Sequence, residues 1–362
     1  MRLLQVVPQL PAALDGVSGY ATALSQALSQ RGVASHFFVA ARGWSTAAHE
    51  GPAATPIPEG DASGAAFSRR LAESGAERLL VHYVNYGYHS RGCPFGLVRG
   101  LARWRAAAPE RRLITMFHEV YASGPPWRSS FWLGPWQRRL AAQLLHASDG
   151  AATSLPLYGR MLARFRPRRE VVVAPVFSAV GEPAAGPAPG ARRPRVMLVF
   201  GGAGNRRRAY GEQREALAAA CQALQIAEIV DLGPPLAELP AAVGGRPVRA
   251  LGVRSKEEVA SVMPRCFAGF LAYPPGFLPK STVFASYCAY GLVPVCAWAR
   301  REALPAAERP PCWEPGREAV PTDVASLAAR ARTWYRGHDL ARQAAVFHAL
   351  LLDSASAVER QG

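Results

Sequence analysis

Residues 181–210 read GEPAAGPAPGARRPRVMLVFGGAGNRRRAY. Positions 181–195 are rich in Pro, Gly and Ala and have no aliphatic side chain larger than alanine, the composition of a linker. At 196–200 an apolar run, VMLVF, begins, and glycines follow it at once. A strand that starts afresh after a linker implies a second domain, and 362 residues can bury two cores.

Both sides of this break alternate strand-like and helix-like stretches. Upstream, apolar runs fall at 3–7, 36–40, 79–84, 113–117 and 171–174. Between them, 17–31 carries Tyr20, Leu24 and Leu28 at helical spacing with Gly32 as a stop, and 95–107, 132–146 and 155–165 show similar patterns. The Ala/Pro/Gly-rich region 47–66 is expected to be a loop or poorly ordered. Downstream, a helix is expected over 210–224, strands over 226–232 and 248–251, and a helix opening at the S-x-x-E capping box Ser255–Glu258. A strand over 267–273, a helix over 282–290 and a strand over 292–297 follow, and 323–352 reads as helical throughout. Such alternation argues for parallel sheets covered by helices, with ligands beyond the carboxyl ends of the strands. The domains expected are 1–180, a linker over 181–195, 196–322, and C-terminal helices over 323–362.

Mean hydropathy is near zero. No apolar run approaches the roughly 18–20 residues of a membrane-spanning helix, and the apolar start before Pro8 is too short for a signal peptide. A cytoplasmic protein is expected, with peripheral contact at the inner face of a membrane. Six cysteines show no C-x-x-C spacing, which suits reduced thiols rather than a metal or redox site. The net charge is +16, and forty of 42 basic residues are arginine. Residues 1–180 hold 20 basic against 10 acidic residues, so the N-terminal half is the more basic and favours anionic partners. Basic residues are dispersed without a nucleic-acid module, so no nucleic-acid partner is expected.

Four segments carry candidate chemistry. Asp15-Gly16-Val17-Ser18-Gly19 is a glycine turn before a helix, where a backbone can approach an anion; taken alone it reads as a tight turn. GGAGNRRRAY places glycines beside Arg206, Arg207 and Arg208, whose forks match phosphate oxygens, though a solvated basic loop reads equally well. PPGFLPKST, 274–282, brings one of only two lysines, Lys280, next to the N-cap residues Ser281 and Thr282, a combination able to cradle a diphosphate or simply to cap a helix. His118-Glu119 follows the strand LITMF at the end where a histidine can trade a proton or hydrogen bond; aromatic residues including Trp127 follow, and Asn85 and Tyr86 lie at another strand end. No P-loop, H-E-x-x-H, G-x-S-x-G or D-x-D pair is present, so no metal and no cofactor is expected.

The opening VVPQL…DGVSGYATALSQALSQRG, the segment TMFHE, and LGVRSKEEVASVM…FLAYPPGF…STVFASYCAYGLVPV together resemble the retaining glycosyltransferases of the GT-B fold, family 4. The resemblance implies two Rossmann-like α/β/α domains facing each other across a cleft, the C-terminal helices packing partly back on the first. It implies metal-independent transfer from a nucleotide-sugar donor to a glycan or lipid-linked acceptor. His118 would be catalytic. Gly16, Gly19, Arg206, Arg207, Arg208, Lys280, Ser281, Thr282 and Ser286 would serve the donor, and Asn85, Tyr86, Glu119 and Trp127 the acceptor. The family's two glutamates, eight positions apart, fall here on Leu278 and Ser286, so either the donor is held differently or catalysis is lost.

Overall fold

The computed structural model describes residues 1–10, 16–40, 53–57, 63–122, 124–183, 193–300 and 304–352. Asp15, residues 184–192 of the linker and 353–362 of the C-terminal region lie outside the described residues, as do 47–52 and 58–62 of the expected loop. The chain forms two compact α/β units. One is Met1–Pro175 together with the stretch from Leu340; the other is Val176–Asp339.

The first unit contains β1 (Arg2–Val7), α1 (Gly16–Ser29), β2 (Ala34–Val39), β3 (Ala54–Pro56), α2 (Gly64–Glu73), β4 (Arg78–Tyr83), α3 (Asn85–Tyr88) and α4 (Phe95–Ala106). It continues with β5 (Arg112–Phe117), α5 (Ser129–Ala147), β6 (Gly150–Thr153), α6 (Pro156–Ala163) and β7 (Val172–Val173). Its sheet runs β3-β2-β1-β4-β5-β6-β7, parallel throughout. Every residue of β5 is buried, as befits a parallel strand covered on both faces. Alternation divides the core: Leu4, Val6 and Phe38 join one apolar cluster, while Val7, Phe37 and Val39 join another with Ala21 of α1.

The second unit contains β8 (Val196–Phe200), α7 (Ala203–Tyr210), α8 (Arg214–Ala223), β9 (Glu228–Leu232), β10 (Ala242–Val243), β11 (Arg246–Gly252) and α9 (Lys256–Val262). Then come β12 (Ala268–Ala272), α10 (Thr282–Ala289), β13 (Val293–Ala297) and α11 (Val324–Arg336). The sheet order is β10-β11-β9-β8-β12-β13, and only the β10–β11 pair is antiparallel.

The C-terminal region is two helices. α11 ends at its C-cap Gly337, and α12 (Leu340–Leu352) belongs to the first unit. Tyr20 of α1 donates to Gln343 Oε1 at 2.5 Å. The last carbonyls of α12, which have no helical partner, accept from arginines at the starts of β4 and β5: Arg78 Nε to Leu350's neighbour Leu351 at 3.1 Å, and Arg112 Nε to Leu350 at 2.7 Å.

Two expectations are corrected here. Region 47–66 is not simply a loop: Ala54–Pro56 pairs with β2, and α2 begins at Gly64 behind Ser63, whose Oγ accepts from Ala66 N at 3.2 Å. This helix was hidden because only Phe67 and Leu71 are large and buried on it. It gains its contacts by close approach to α4, where a Cβ on Gly64 would lie 2.7 Å from Arg99 Cβ. The helix expected over 210–224 is α8, which begins at Arg214; a further helix, α7, precedes it over Ala203–Tyr210, so most of GGAGNRRRAY is helix rather than loop.

Candidate active site

Each sheet has a point at which the chain reverses direction across it, and helices that open at the carboxyl ends of neighbouring strands leave a crevice there. In the first unit that point is between β1 and β4; in the second it is between β8 and β12.

At the first, three side chains from adjacent strands form a buried row. Gln5 of β1 donates from Nε2 to Ser35 Oγ at 2.8 Å and turns Oε1 to His82 Nε2 of β4 at 2.9 Å. His82 Nδ1 is 3.1 Å from His118 Nε2, just beyond β5. With Oε1 accepting, the His82 proton is on Nε2, so its Nδ1 accepts from His118 Nε2–H. His118 thereby keeps Nδ1 as its acceptor nitrogen. The two imidazoles stack at 5.4 Å, and the Tyr20 ring closes over both, edge-on, at 5.0 Å from His118. Burial in this low-dielectric setting disfavours charge: it lowers His82 to about 3 and raises the Tyr20 phenol well above the ordinary range. Backbone pairing positions His118 too, its N–H donating to Tyr83 O at 3.0 Å.

Gly16 and Gly19 open α1 beside this row. A Cβ at either would meet nothing within 4 Å, so space lies open at both. The structure does not place Asn85 on the surface with a hydroxyl ligand in reach. It is buried, donates to Gln137 Oε1 at 3.0 Å, and accepts from Tyr86 N at 3.0 Å. Gln137 of α5 joins both loops, accepting also from Ala122 N at 2.9 Å and donating to the Tyr86 hydroxyl and Arg91 O. Asn85 therefore shapes the loop rather than facing an acceptor, while the Tyr86 ring is exposed. Glu119 is half-buried next to His118, and Trp127 is 83% exposed in the following loop.

At the second crevice, α7 and α10 begin at the ends of β8 and β12. Gly201 (φ +122°) makes the turn, and Gly202 caps α7 without a side-chain hydrogen bond. Cβ atoms on Gly202 or Gly204 would meet nothing within 4 Å. Past β12, a 3₁₀ turn over Pro275–Lys280 leads to Ser281, the N-cap of α10, whose Oγ accepts from Phe284 N at 3.2 Å. Lys280 and Thr282 flank the cap and are half-buried. Tyr287 of α10 reaches beneath both strands, accepting from Phe200 N at 3.1 Å and lying 3.3 Å from the carbonyls of Leu198 and Phe270. Gly269 is needed there, because a Cβ would stand 2.5 Å from the Tyr287 ring.

Two donor-side expectations fail on geometry. Arg206 is 1% exposed and bound through both fork nitrogens to Asp231 of β9, Nε to Oδ2 at 2.9 Å, with a third bond to Pro234 O. Its guanidinium is spent inside the unit. Ser286 is buried, its hydroxyl donating to Thr282 O at 2.7 Å and meeting Ser178 Oγ at 2.9 Å, so it presents nothing to a ribose. Arg207 is exposed, and Arg208 bonds Asn205 and lies over the Trp298 ring at 5.5 Å. Among the described residues, no group of three His, Cys, Asp or Glu side chains could hold a metal ion. Gln5, His82 and Gln137 went unnoticed in the sequence; a polar residue inside an apolar strand, as in LLQVV and LLVHY, is the available signal for the first two.

No family model and no curated protein matches the sequence. Solved structures do resemble the fold. The lipopolysaccharide glycosyltransferase WaaG superposes with a TM-score of 0.58 at 10% identity, over 97% of this chain and 100% of that one. A UDP-forming α,α-trehalose-phosphate synthase from Burkholderia vietnamiensis gives 0.56 at 16% identity, over 99% and 98%. An α-glucosyltransferase in complex with UDP-glucose and abasic DNA gives 0.58 at 10% identity, over 96% and 98%. At such identities the likeness establishes the fold: two Rossmann-like α/β units of GT-B type.

Proposed function

We propose that this chain moves a sugar from a nucleotide-sugar donor to a glycan or lipid-linked acceptor, with retention of configuration and without a metal. The observation that carries this reading is the pair of helix N-termini, α7 and α10, opening at adjacent strand ends. One stands behind bare glycines and the other beside Lys280. First-turn amides have no helical partner and point at an anion, and the aligned peptide dipoles add positive potential. Arg208, Lys280 and the amides near Ser281 and Thr282 would hold the diphosphate and stabilise the charge that develops as it leaves. His118, fixed through His82 and Gln5, would stand beside a substrate hydroxyl and help to orient it.

A second reading is a protein of this fold that binds a nucleotide-sugar without turning it over. Its support is that the two positions where the resembling family has glutamates are here a 1% exposed Leu278 and the committed Ser286. Thermal shift across uridine, guanosine, adenosine and thymidine diphosphate sugars separates the two. A ligand that binds only the native state at about 100 times its dissociation constant adds about 2.7 kcal/mol of stability. A shift with release of free nucleoside diphosphate supports transfer. A shift without release supports the binder, and no shift with any donor rejects both.

A further inference from the structure

All six exposed aromatic rings among the described residues fall between positions 86 and 136: Tyr86, Phe95, Trp127, Phe131, Trp132 and Trp136. They belong to two stretches, 78–109 and 120–148, that contain eight arginines and not one aspartate or glutamate. Scattered exposed apolar side chains are ordinary, but a cluster of rings on one surface marks an interaction site.

The helices make the cluster continuous. Four-residue spacing puts Phe131, Pro135 and Arg139 in one row along α5, and Trp132 and Trp136 in the row beside it. The opposite side of α5 is the buried one, with Gln137, Leu140, Ala141, Leu144 and Leu145. On α4 the same spacing aligns Phe95, Arg99 and Arg103. The two helices meet where the Phe95 and Trp136 rings lie 6.0 Å apart, and Arg99 lies over the Phe95 ring at 5.7 Å. Phe131 and Trp132 pack edge to face at 5.3 Å, and Trp132 Nε1 donates to Pro126 O, which ties the helix start to the loop bearing Trp127.

We infer that this aromatic and arginine face of the first unit docks on an anionic bilayer surface. Tryptophan is suited to the headgroup level, where its ring is apolar and its N–H finds a partner, and the exposed arginines of the face, Arg99, Arg103 and Arg139, complement acidic headgroups, whereas Arg78 and Arg105 are held by Glu77 and Asp149. A second copy of the chain fits less well, because a twofold contact would bring the same arginines together without a carboxylate between them. The face lies on the segments that follow β4 and β5, the latter leading directly from His118, so docking turns that end of the sheet toward the lipid. The inference does not rest on sugar transfer; its readout is binding.

The test is flotation of the full chain with vesicles of phosphatidylcholine alone or in equal parts with phosphatidylglycerol. We expect binding only to the anionic vesicles, weakened at least about tenfold by Trp132→Ser with Trp136→Ser, and similarly by Arg99→Ala with Arg139→Ala. Raising salt from about 0.05 to about 0.5 M should release most of the protein, since the screening length contracts below the arginine–headgroup spacing. Val253→Ser, at an exposed apolar residue of the second unit, should bind as the unmutated protein does, and unchanged melting temperatures check that the surface variants fold. Equal binding to both vesicle types, or binding indifferent to these variants and to salt, overturns the proposal. So does sedimentation showing a lipid-free dimer that the tryptophan variants dissociate, which would assign the face to a second copy.

Discussion

The two crevices prepare a site by different means. In the first unit the working atoms are side chains, and they are held by other side chains inside the sheet: Ser35, Gln5, His82 and His118 in a row, under a tyrosine that the C-terminal helix holds in place. In the second unit the working atoms are largely backbone amides at two helix ends, and the side chains beneath them serve to set that backbone. Arg206 with Asp231 holds α7, and Tyr287 holds β8 to β12. A site of amides depends chiefly on the backbone that presents them; a site of buried polar rings depends on the side chains themselves as well. The same arginine-rich composition thus yields structural guanidinium groups in one place and surface ones a residue or two away.

The comparison breaks most visibly at Arg206. Removing one partner of a buried ion pair strands the other, so Arg206→Met should lower unfolding free energy by about 3–5 kcal/mol, with Asp231→Leu in the same chain restoring much of it. Urea denaturation of the three proteins measures this. If Arg206→Met keeps its stability but loses donor binding, Arg206 belongs to the ligand after all.

Lys280 sharpens the role of the second crevice. Lys280→Ala should lower transfer or donor hydrolysis about 100-fold, the usual cost of one electrostatic donor, with little change in melting temperature. Lys256→Ala, at the exposed start of α9, should change neither. Equal activities for the two variants would remove Lys280 from the site.

For the first crevice the test is acid. His82 is neutral when buried, with a folded value of about 3 against an ordinary 6.5 when unfolded. Between these values the unfolded chain binds the extra proton. The stability from keeping His82 neutral is complete above about pH 6.5 and is lost as pH falls toward 3, at up to about 1.4 kcal/mol per pH unit. His82→Phe should remove one proton's worth of that slope in denaturation midpoints measured across the window. An unchanged slope would mean that water reaches the ring.

The smallest effect belongs to the capping box on α9. Ser255 Oγ accepts from Glu258 N at 3.2 Å while Glu258 Oε2 accepts from Ser255 N at 2.8 Å. Ser255→Ala should cost about 1 kcal/mol in urea denaturation and leave donor binding alone. A loss of binding there would extend the second crevice beyond what its geometry shows.

The difference between the crevices also explains what could be read in the sequence. Local devices were legible: the S-x-x-E box, the Ser281 cap, the glycines after β8, and the alternation that gives two parallel sheets. Where a signal depended on chain segments far apart, it was not. Gln5, His82 and His118 touch only because β1, β4 and β5 are neighbours in the sheet, and no spacing along the chain announces that. Arg206 looked like Arg207 and Arg208 because its partner, Asp231, is on a strand further along the chain, β9. Asn85 looked like a surface polar residue because Gln137, which engages it, is on a helix much later in the chain. The α2 helix escaped because its packing relies on bare glycine contacts with α4 instead of an apolar stripe.

The return of α12 to the first unit has a consequence for how the protein is made. Residues 176–339 form an unbroken compact unit, whereas the first unit is assembled from both sides of it. As the chain emerges from the ribosome, β1 through β7 appear before the second unit, yet the arginines at the starts of β4 and β5, and the hydroxyl of Tyr20, wait for carbonyls and an amide that are translated after it. Domains tend to fold as units during synthesis. Here the second can be finished while the nascent first is still missing a helix, so the earlier-born half of this protein is the later one to mature.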